Sequence, residues 1–319
     1  MDFLRAEEIS RKEQTGTVLH KISFTIEQHK KTAIIGETGS GKSTLLKIIS
    51  GHAQPETGKV FYQGEKVWGP NEQLIPGHPG IAYLSQHFEL RNNYFVYEIL
   101  DYANKMSDKE ADKIFKICQV HHLLKRKTDQ LSGGEKQRIA LSRLLVGKPS
   151  LLLLDEPFSN LDMPHKKIIR TVLQNISDDL GTTCMLVSHD PEDFLPWADH
   201  MMVLKEGRLI QQGTTKEIYL NPYNEYVAGL TGAYNNIASS SIQLRNKWEL
   251  PLGGNAIIVR PEKINITEIP YNGIEAIVRK IQFHGHYFSI LTETKEQELI
   301  IHTQNDQINI GDKIHLSLQ

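Results

Sequence analysis

The segment Gly36-Glu37-Thr38-Gly39-Ser40-Gly41-Lys42-Ser43, continued by Thr44, is the first part of the chain whose residue types and spacing could do chemistry. Its glycines let the backbone curl so that several N–H groups point at one phosphate. Lys42 is spaced to reach the outer phosphates of a nucleotide, and the Ser43 hydroxyl to bind Mg²⁺. Leu151-Leu152-Leu153-Leu154-Asp155-Glu156-Pro157 then ends an apolar run in two carboxylates. Asp155 is placed to orient Mg²⁺ through its water shell, and Glu156 to polarise an attacking water as general base. Between these segments stand Gln86 and Leu131-Ser132-Gly133-Gly134-Glu135-Lys136-Gln137-Arg138, a second Gly-containing loop suited to phosphate. Ser188-His189-Asp190 follows the carboxylates. A single such motif can arise by chance; the ordered set rarely does.

These groups need elements to hold them. Val18–Ile26 and Lys31–Ile35 read as strands, and Ser43–Ser50 has helical spacing that stops at Gly51. Strand, Gly-rich turn and helix in that order are the context a phosphate loop requires, with the helix N-terminus adding its positive end. Gly58–Tyr62 and Ile81–Leu84 read as strands, 97–127 as a helical stretch, and Glu135–Leu145 as a helix. Leu151–Leu154 fits a central strand buried on both faces. Its carboxylates would then lie at the carboxyl end of an open α/β sheet, where ligands bind. Lys166–Leu180 is an amphipathic helix, Thr182–Val187 a strand, and Met201–Leu204 and Leu209–Gln212 flank the hairpin signal Glu206-Gly207.

After about Gly232 the composition changes. Asn235-Asn236 and Ser239-Ser240-Ser241 suggest a linker. Beyond it helical patterning gives way to short strands at 256–259, 264–269, 274–281, 287–292, 298–302 and 313–318, with turns at Tyr271-Asn272-Gly273 and Ile310-Gly311-Asp312. That is a small all-β barrel. The predicted division is 1–232 for the α/β domain, 233–254 for the linker and 255–319 for the barrel.

The 319 residues are 39% hydrophobic and 23% charged, a globular composition with room for two domains. Runs such as Leu151–Leu154 fall far short of the ~20 residues a membrane helix needs. Met1-Asp2-Phe3-Leu4-Arg5 has no charged region followed by an apolar run, so no secretory signal is expected. Cys118 and Cys184 read as buried small hydrophobes in a reducing compartment. A formal net charge of -2 argues against nucleic acid as a partner. His284 and His286, which flank Gly285, read as turn residues rather than metal ligands.

On these motifs the chain resembles the ATPase subunit of an ABC transporter. LSGGEKQR resembles the signature loop that separates this family from other phosphate-loop ATPases. The resemblance implies a P-loop NTPase fold with a helical subdomain, ATP and Mg²⁺ as ligands, and a head-to-tail homodimer. In that dimer Ser132, Gly133, Gly134 and Glu135 would cap ATP held by the partner copy. Gln86 matches the family's Q-loop glutamine, a metal and water contact, and His189 the switch histidine that contacts the γ-phosphate. Ser159-Asn160-Leu161-Asp162 resembles the D-loop that crosses the dimer interface, with Asn160 in place of a small residue. The aromatic residue that usually stacks on adenine falls near Glu13 and Gln14, neither of which can stack in that way.

Leu124–Gly134, the passage 209–230 and Val259-Arg260-Pro261-Glu262 resemble importer ATPases for polyamines, ferric iron, sulfate, molybdate and sugars, which carry a TOBE-like β-barrel after the ATPase. The resemblance implies a peripheral protein on the cytoplasmic face of the membrane. Integral permease subunits would be direct partners, and an extracytoplasmic solute-binding protein an indirect one. Tyr94-Phe95-Val96-Tyr97 lies where the family receives a short helix from the permease. Two rival readings remain at this stage. One is a soluble ABC ATPase of translation or DNA repair, although the chain has neither a second cassette nor a coiled-coil insertion. The other is a ligand-sensing module in which the barrel binds and ATP turnover is secondary.

Overall fold

The computed structural model describes residues 2–13, 16–86, 90–159, 161–252, 255–267 and 273–319. Contacts divide the chain into two compact units, Met1–Thr215 and Lys216–Gln319.

The first unit is built on a six-stranded sheet in the order Arg208–Thr214, His200–Lys205, Lys31–Ile35, Thr183–Val187, Leu151–Asp155, Ile81–Leu84. All neighbours except the Arg208–Thr214 edge pair in parallel. Every residue of Leu151–Asp155 and Thr183–Val187 is buried, as a strand covered on both faces must be. A second, antiparallel sheet joins Gly16–Ile26, Leu4–Glu13, Thr57–Tyr62 and Glu65–Lys66. Helix Lys42–Ile49 lies between the sheets and buries Leu45, Leu46, Ile48 and Ile49 in their shared core.

Helix starts follow their caps. Ser132 accepts from the Glu135 amide, so that helix begins at Gly133 rather than Glu135. Asp162 accepts from the His165 amide at 3.1 Å and Pro164 suits the first turn, so the next long helix runs Met163–Leu180. The helical stretch 97–127 is two helices, Val96–Ala103 and Asp108–Ile117, followed by the short turn His121–Leu123. The break has a physical cause: Ser107 caps the second helix, and the Glu110 carboxylate accepts from the Ser107 amide at 3.0 Å.

The second unit contains helices Glu225–Thr231 and Ile242–Lys247 and a two-stranded pairing of Asn235–Ile237 with Ile257–Val259. Its five-stranded antiparallel sheet runs Ile264–Thr267, Lys313–Leu318, Ile274–Phe283, Phe288–Glu293, Glu298–Thr303. The turn expected at 271–273 lies outside the described residues except for Gly273. The stretch 233–254, read as linker, carries the strand at 235, the helix at 242 and part of the core: Ile237, Leu244 and Trp248 pack with Val278, Ile290 and Leu316. The units meet in sequence at Thr215, ahead of residue 232, because Arg260 gathers the helices after 215 into the second unit. Its guanidinium is 2% exposed and donates to the carbonyls of Tyr219, Ala228, Gly232 and Ala233 and to the Thr231 hydroxyl.

Arg245 plays the same part inside the former linker. It is fully buried and donates to the carbonyls of Ile237, Ala238, Pro251 and Asn255, each at 2.9 Å. Replacing it with Met leaves the buried Ile237 carbonyl and the half-buried Ala238 carbonyl without their donor, so Arg245→Met is expected to cost about 3 kcal/mol. A denaturant melt of the full chain checks this; an unchanged midpoint for the second unit contradicts it.

Cys118 and Cys184 are buried free thiols, and burial pushes both up to about 12. His284 stacks on Tyr287 and His286 meets the same ring edge-on. Among the described residues no helix is long and apolar enough to cross a membrane.

Candidate functional site

Strand Lys31–Ile35 ends at Gly36, where the chain must turn sharply beside the strand His200–Lys205. A Cβ at Gly36 would sit 2.2 Å from the Leu204 carbonyl oxygen, and φ is +152°, so only glycine fits. Gly41 caps helix Lys42–Ile49 in the left-handed region at φ 97°. Glu37, Thr38 and Gly39 form the exposed rim of the loop, whereas Ser40 and Lys42 are buried. Lys42 lies across the loop and donates to the carbonyls of Gly36 and Glu37 at 2.8 Å and to Ser40 Oγ at 3.4 Å. Burial lowers its pKa from the ordinary lysine value, while the carboxylates of Glu156, Asp155 and Glu37 act in the opposite sense.

The next residue joins the loop to the neighbouring motif. Ser43 Oγ donates to Asp155 Oδ1 at 2.8 Å, across the end of strand Leu151–Asp155. The other carboxylate oxygen, Oδ2, accepts from the Tyr83 hydroxyl at 2.9 Å. Burial first, and then the Asp155 charge, push the Tyr83 phenol far above its ordinary pKa, so it remains a neutral donor. The Ser43–Asp155 pair offers only oxygen donors beside a helix N-terminus, a set that fits a hard divalent cation such as Mg²⁺. Among the described residues no group of three or more His, Cys, Asp or Glu could hold a metal. A cation here would draw its remaining ligands from water and phosphate.

Glu156 follows immediately, with a left-handed φ of 49°, an uncommon conformation for a residue with a side chain. Its amide donates to the Val187 carbonyl at 3.1 Å, and its own carbonyl accepts from the Ser159 amide and hydroxyl. Held in this way, the carboxylate accepts from Gln86 Nε2 at 3.0 Å and stands 3.8 Å from His189 Nδ1. Behind His189 lies a network that composition does not announce. Arg170 donates twice to the buried Asp193, and Asp193 accepts from Ser188 Oγ at 3.1 Å.

Lys42, Ser43, Gln86, Asp155, Glu156 and His189, scattered in sequence, therefore converge at the carboxyl ends of neighbouring parallel strands. Ser132, Gly133, Gly134 and Glu135 do not join them: no hydrogen bond among the described residues links these four to the cluster. Ser132 and Glu135 close a reciprocal cap on their own helix, with the Glu135 carboxylate accepting from the Ser132 amide at 2.8 Å. Burial opposes the lowering of the Glu135 pKa, which the bonds from Ser132 and the charge of Arg126 bring about. Asp162 caps its helix and pairs with His165, whose hydrogen bond holds its carboxyl below the usual range. Asn160 and Gln14 lie outside the described residues, as does the side chain of Glu13.

Sequence reasoning passed over Tyr83, the Arg170–Asp193–Ser188 network and Gln137, whose side-chain amide donates to the Pro157 carbonyl. The signal for Tyr83 was its place near the end of a strand that neighbours Leu151–Asp155.

The chain is similar to known proteins in both units. The family described as "ABC transporter" matches residues 19–159, and the TOBE domain matches 257–319. The molybdate/tungstate import ATP-binding protein of Pyrococcus abyssi is 36% identical over 84% of this chain and 81% of its own length. The spermidine/putrescine import ATP-binding protein of Mycoplasma mycoides is 32% identical over 96% of this chain and 92% of its own. Among solved structures, cbiO1 of Clostridium perfringens, part of the ABC transporter complex cbiONQ, has a TM-score of 0.60 and 27% identity over 69% of this chain and 91% of its own. A nucleotide-free ATP-binding cassette from an ABC transporter shares the fold, with a TM-score of 0.61 and 24% identity over 73% of this chain and all of that one. With import ATP-binding proteins 32% and 36% identical over most of its length, the ABC transporter family matching its α/β unit and a TOBE domain after it, the chain belongs to the ATP-binding subunits of ABC transporters.

Proposed function

We propose that the chain hydrolyses ATP to energise solute import through separate permease subunits. The observation that carries the chemistry is the placement of Glu156, bonded to Gln86 and facing His189, beside the Lys42 cradle. In this reading the loop amides from Gly36 to Thr44 hold the phosphates and Lys42 neutralises the β- and γ-oxygens. Ser43 and Asp155, with Gln86, hold Mg²⁺, which supplies further charge neutralisation when bound. Glu156 takes the proton of the attacking water, and His189 orients that water and the γ-phosphate. The chemistry is mainly positional and electrostatic.

The detachment of Ser132–Glu135 from this cluster favours a homodimer. Their helix end would complete the site of a second copy, in a closed two-fold arrangement that also brings Asp162 to the interface. Import, rather than export, is favoured by the relatives, whose names place them with molybdate/tungstate and with spermidine/putrescine import. A groove of 510 Å³ lined by Tyr94, Glu98, Ile99 and Tyr102 suits a short permease helix and would place the protein peripherally on the cytoplasmic membrane face. A solute-binding protein would then be an indirect partner.

The test is recovery of tagged Glu156→Gln protein from native membranes with MgATP, followed by mass spectrometry. A stoichiometric polytopic membrane protein is expected, together with an extracytoplasmic binding protein that narrows the solute. Recovery with ribosomes or DNA instead would overturn the transport reading.

A further inference from the structure

The geometry points to Tyr83 as a positioning residue that fixes the rotation of the Asp155 carboxylate, and so sets how well the site takes its divalent cation. The inference rests on the reading of Asp155 given above. Asp155 is 4% exposed and its two oxygens have different partners: Ser43 on Oδ1 and Tyr83 on Oδ2. Ser43 can bind the cation through its oxygen and still donate to Oδ1, but that one bond leaves the carboxylate able to turn about it. The Tyr83 hydroxyl on Oδ2 supplies the second fixed point. Tyr83 sits on strand Ile81–Leu84 opposite Leu153 of the neighbouring parallel strand, and its hydroxyl reaches beyond the register to the last residue of that strand.

The ring is also held from behind. It lies against the core between the two sheets and tilts against His52, with centroids 5.7 Å apart. His52 Nδ1 shares a hydrogen bond of 2.8 Å with Ser50 Oγ, just past the far end of the phosphate-loop helix. The hydroxyl therefore approaches Oδ2 from a direction fixed by packing. Outer partners of this kind orient metal-binding carboxylates, and their loss typically costs 10–100-fold in metal affinity. Without the Tyr83 hydroxyl, Oδ2 is a desolvated acceptor that has lost its donor, and the carboxylate is free to turn away from the orientation that Ser43 and Tyr83 fix together.

The experiment uses the full chain, as wild type, Tyr83→Phe and Asp155→Asn. Binding of a non-hydrolysable ATP analogue is followed by calorimetry across a Mg²⁺ series and in chelator, and bound Mn²⁺ by its spin resonance spectrum. Tyr83→Phe keeps the ring and its core contacts, and a thermal melt checks that it folds. The expected result is a rise of about 10-fold in the Mg²⁺ concentration that half-saturates the tight complex, with metal-free affinity unchanged and an altered Mn²⁺ spectrum. If Tyr83→Phe matches wild type while Asp155→Asn shows the metal defect, the role of Tyr83 is overturned and that of Asp155 stands. An equal loss with and without metal makes Tyr83 merely structural and also overturns the inference. If Asp155→Asn itself keeps the wild-type metal dependence, the reading of Asp155 fails first and takes this inference with it.

Discussion

Replacing Glu156 with glutamine is expected to lower steady-state ATP turnover by about 10²–10⁴-fold while leaving ATP binding intact. The substitution is nearly isosteric. Gln can keep the backbone at φ 49°, still anchored through the Val187 carbonyl and the Ser159 amide and hydroxyl. Its side-chain oxygen can still accept from Gln86 Nε2. The carboxylate's capacity to take a proton is what disappears. The Lys42 cradle and the Ser43–Asp155 pair are untouched, so nucleotide should bind and the dimer should close without turning over. Phosphate release measured beside size exclusion in MgATP checks both halves: a long-lived dimer with little turnover is expected. Unimpaired turnover would remove Glu156 from its role as base and leave the proton to another group.

That prediction was available from sequence because the motifs are short, local and punctuated. Gly36 ends the first strand and Gly51 stops the helix after the loop, and the apolar run at 151 ends in its carboxylates, so residue order alone implies the strand end where they meet. The left-handed backbone of Glu156 was not legible: beside the local turn to Ser159 it carries an amide bond to the Val187 carbonyl, which exists only once the two strands are aligned. Tyr83 escaped for the same reason, since its partner is set by the register between strands whose sequence separation is large.

Strand Leu4–Glu13 was not read from sequence. The pairing of Leu4–Glu13 with Gly16–Ile26 shifts register between Ala6 and Ile9, with Glu8 at φ 46°, and the shift breaks the period-two alternation that marks a strand. In the second unit, Arg245 and Arg260 look like surface residues by type. They are core residues because the fold brings carbonyls from separate turns and helix ends to meet each guanidinium. The break in 97–127 was legible and went unused, for Ser107 and Glu110 carry the capping-box spacing.

Replacing Lys42 with alanine should weaken ATP binding by about 10³-fold, the loss of one or two charge-assisted bonds to phosphate at roughly 1.5–3 kcal/mol each. The setting makes this lysine hard to replace. It is 6% exposed, and its neighbours in charge are the carboxylates of Glu156, Asp155 and Glu37. With the ammonium gone, those three groups face an incoming triphosphate with no buried cation on this loop to offset them. Lys42 also bridges the Gly36 and Glu37 carbonyls, so the cradle loses an internal brace along with its charge. Calorimetry with MgATP measures the affinity, and a thermal melt without nucleotide separates the two losses. A large fall in affinity with a smaller fall in melting temperature is expected, because Glu37 lies at the solvent-facing rim, where water can replace its bond, and the buried Gly36 carbonyl is the main acceptor left without its donor. Unchanged affinity would contradict the assignment of this loop as the phosphate cradle. Equal falls in both would mean that Lys42 acts chiefly by shaping the loop.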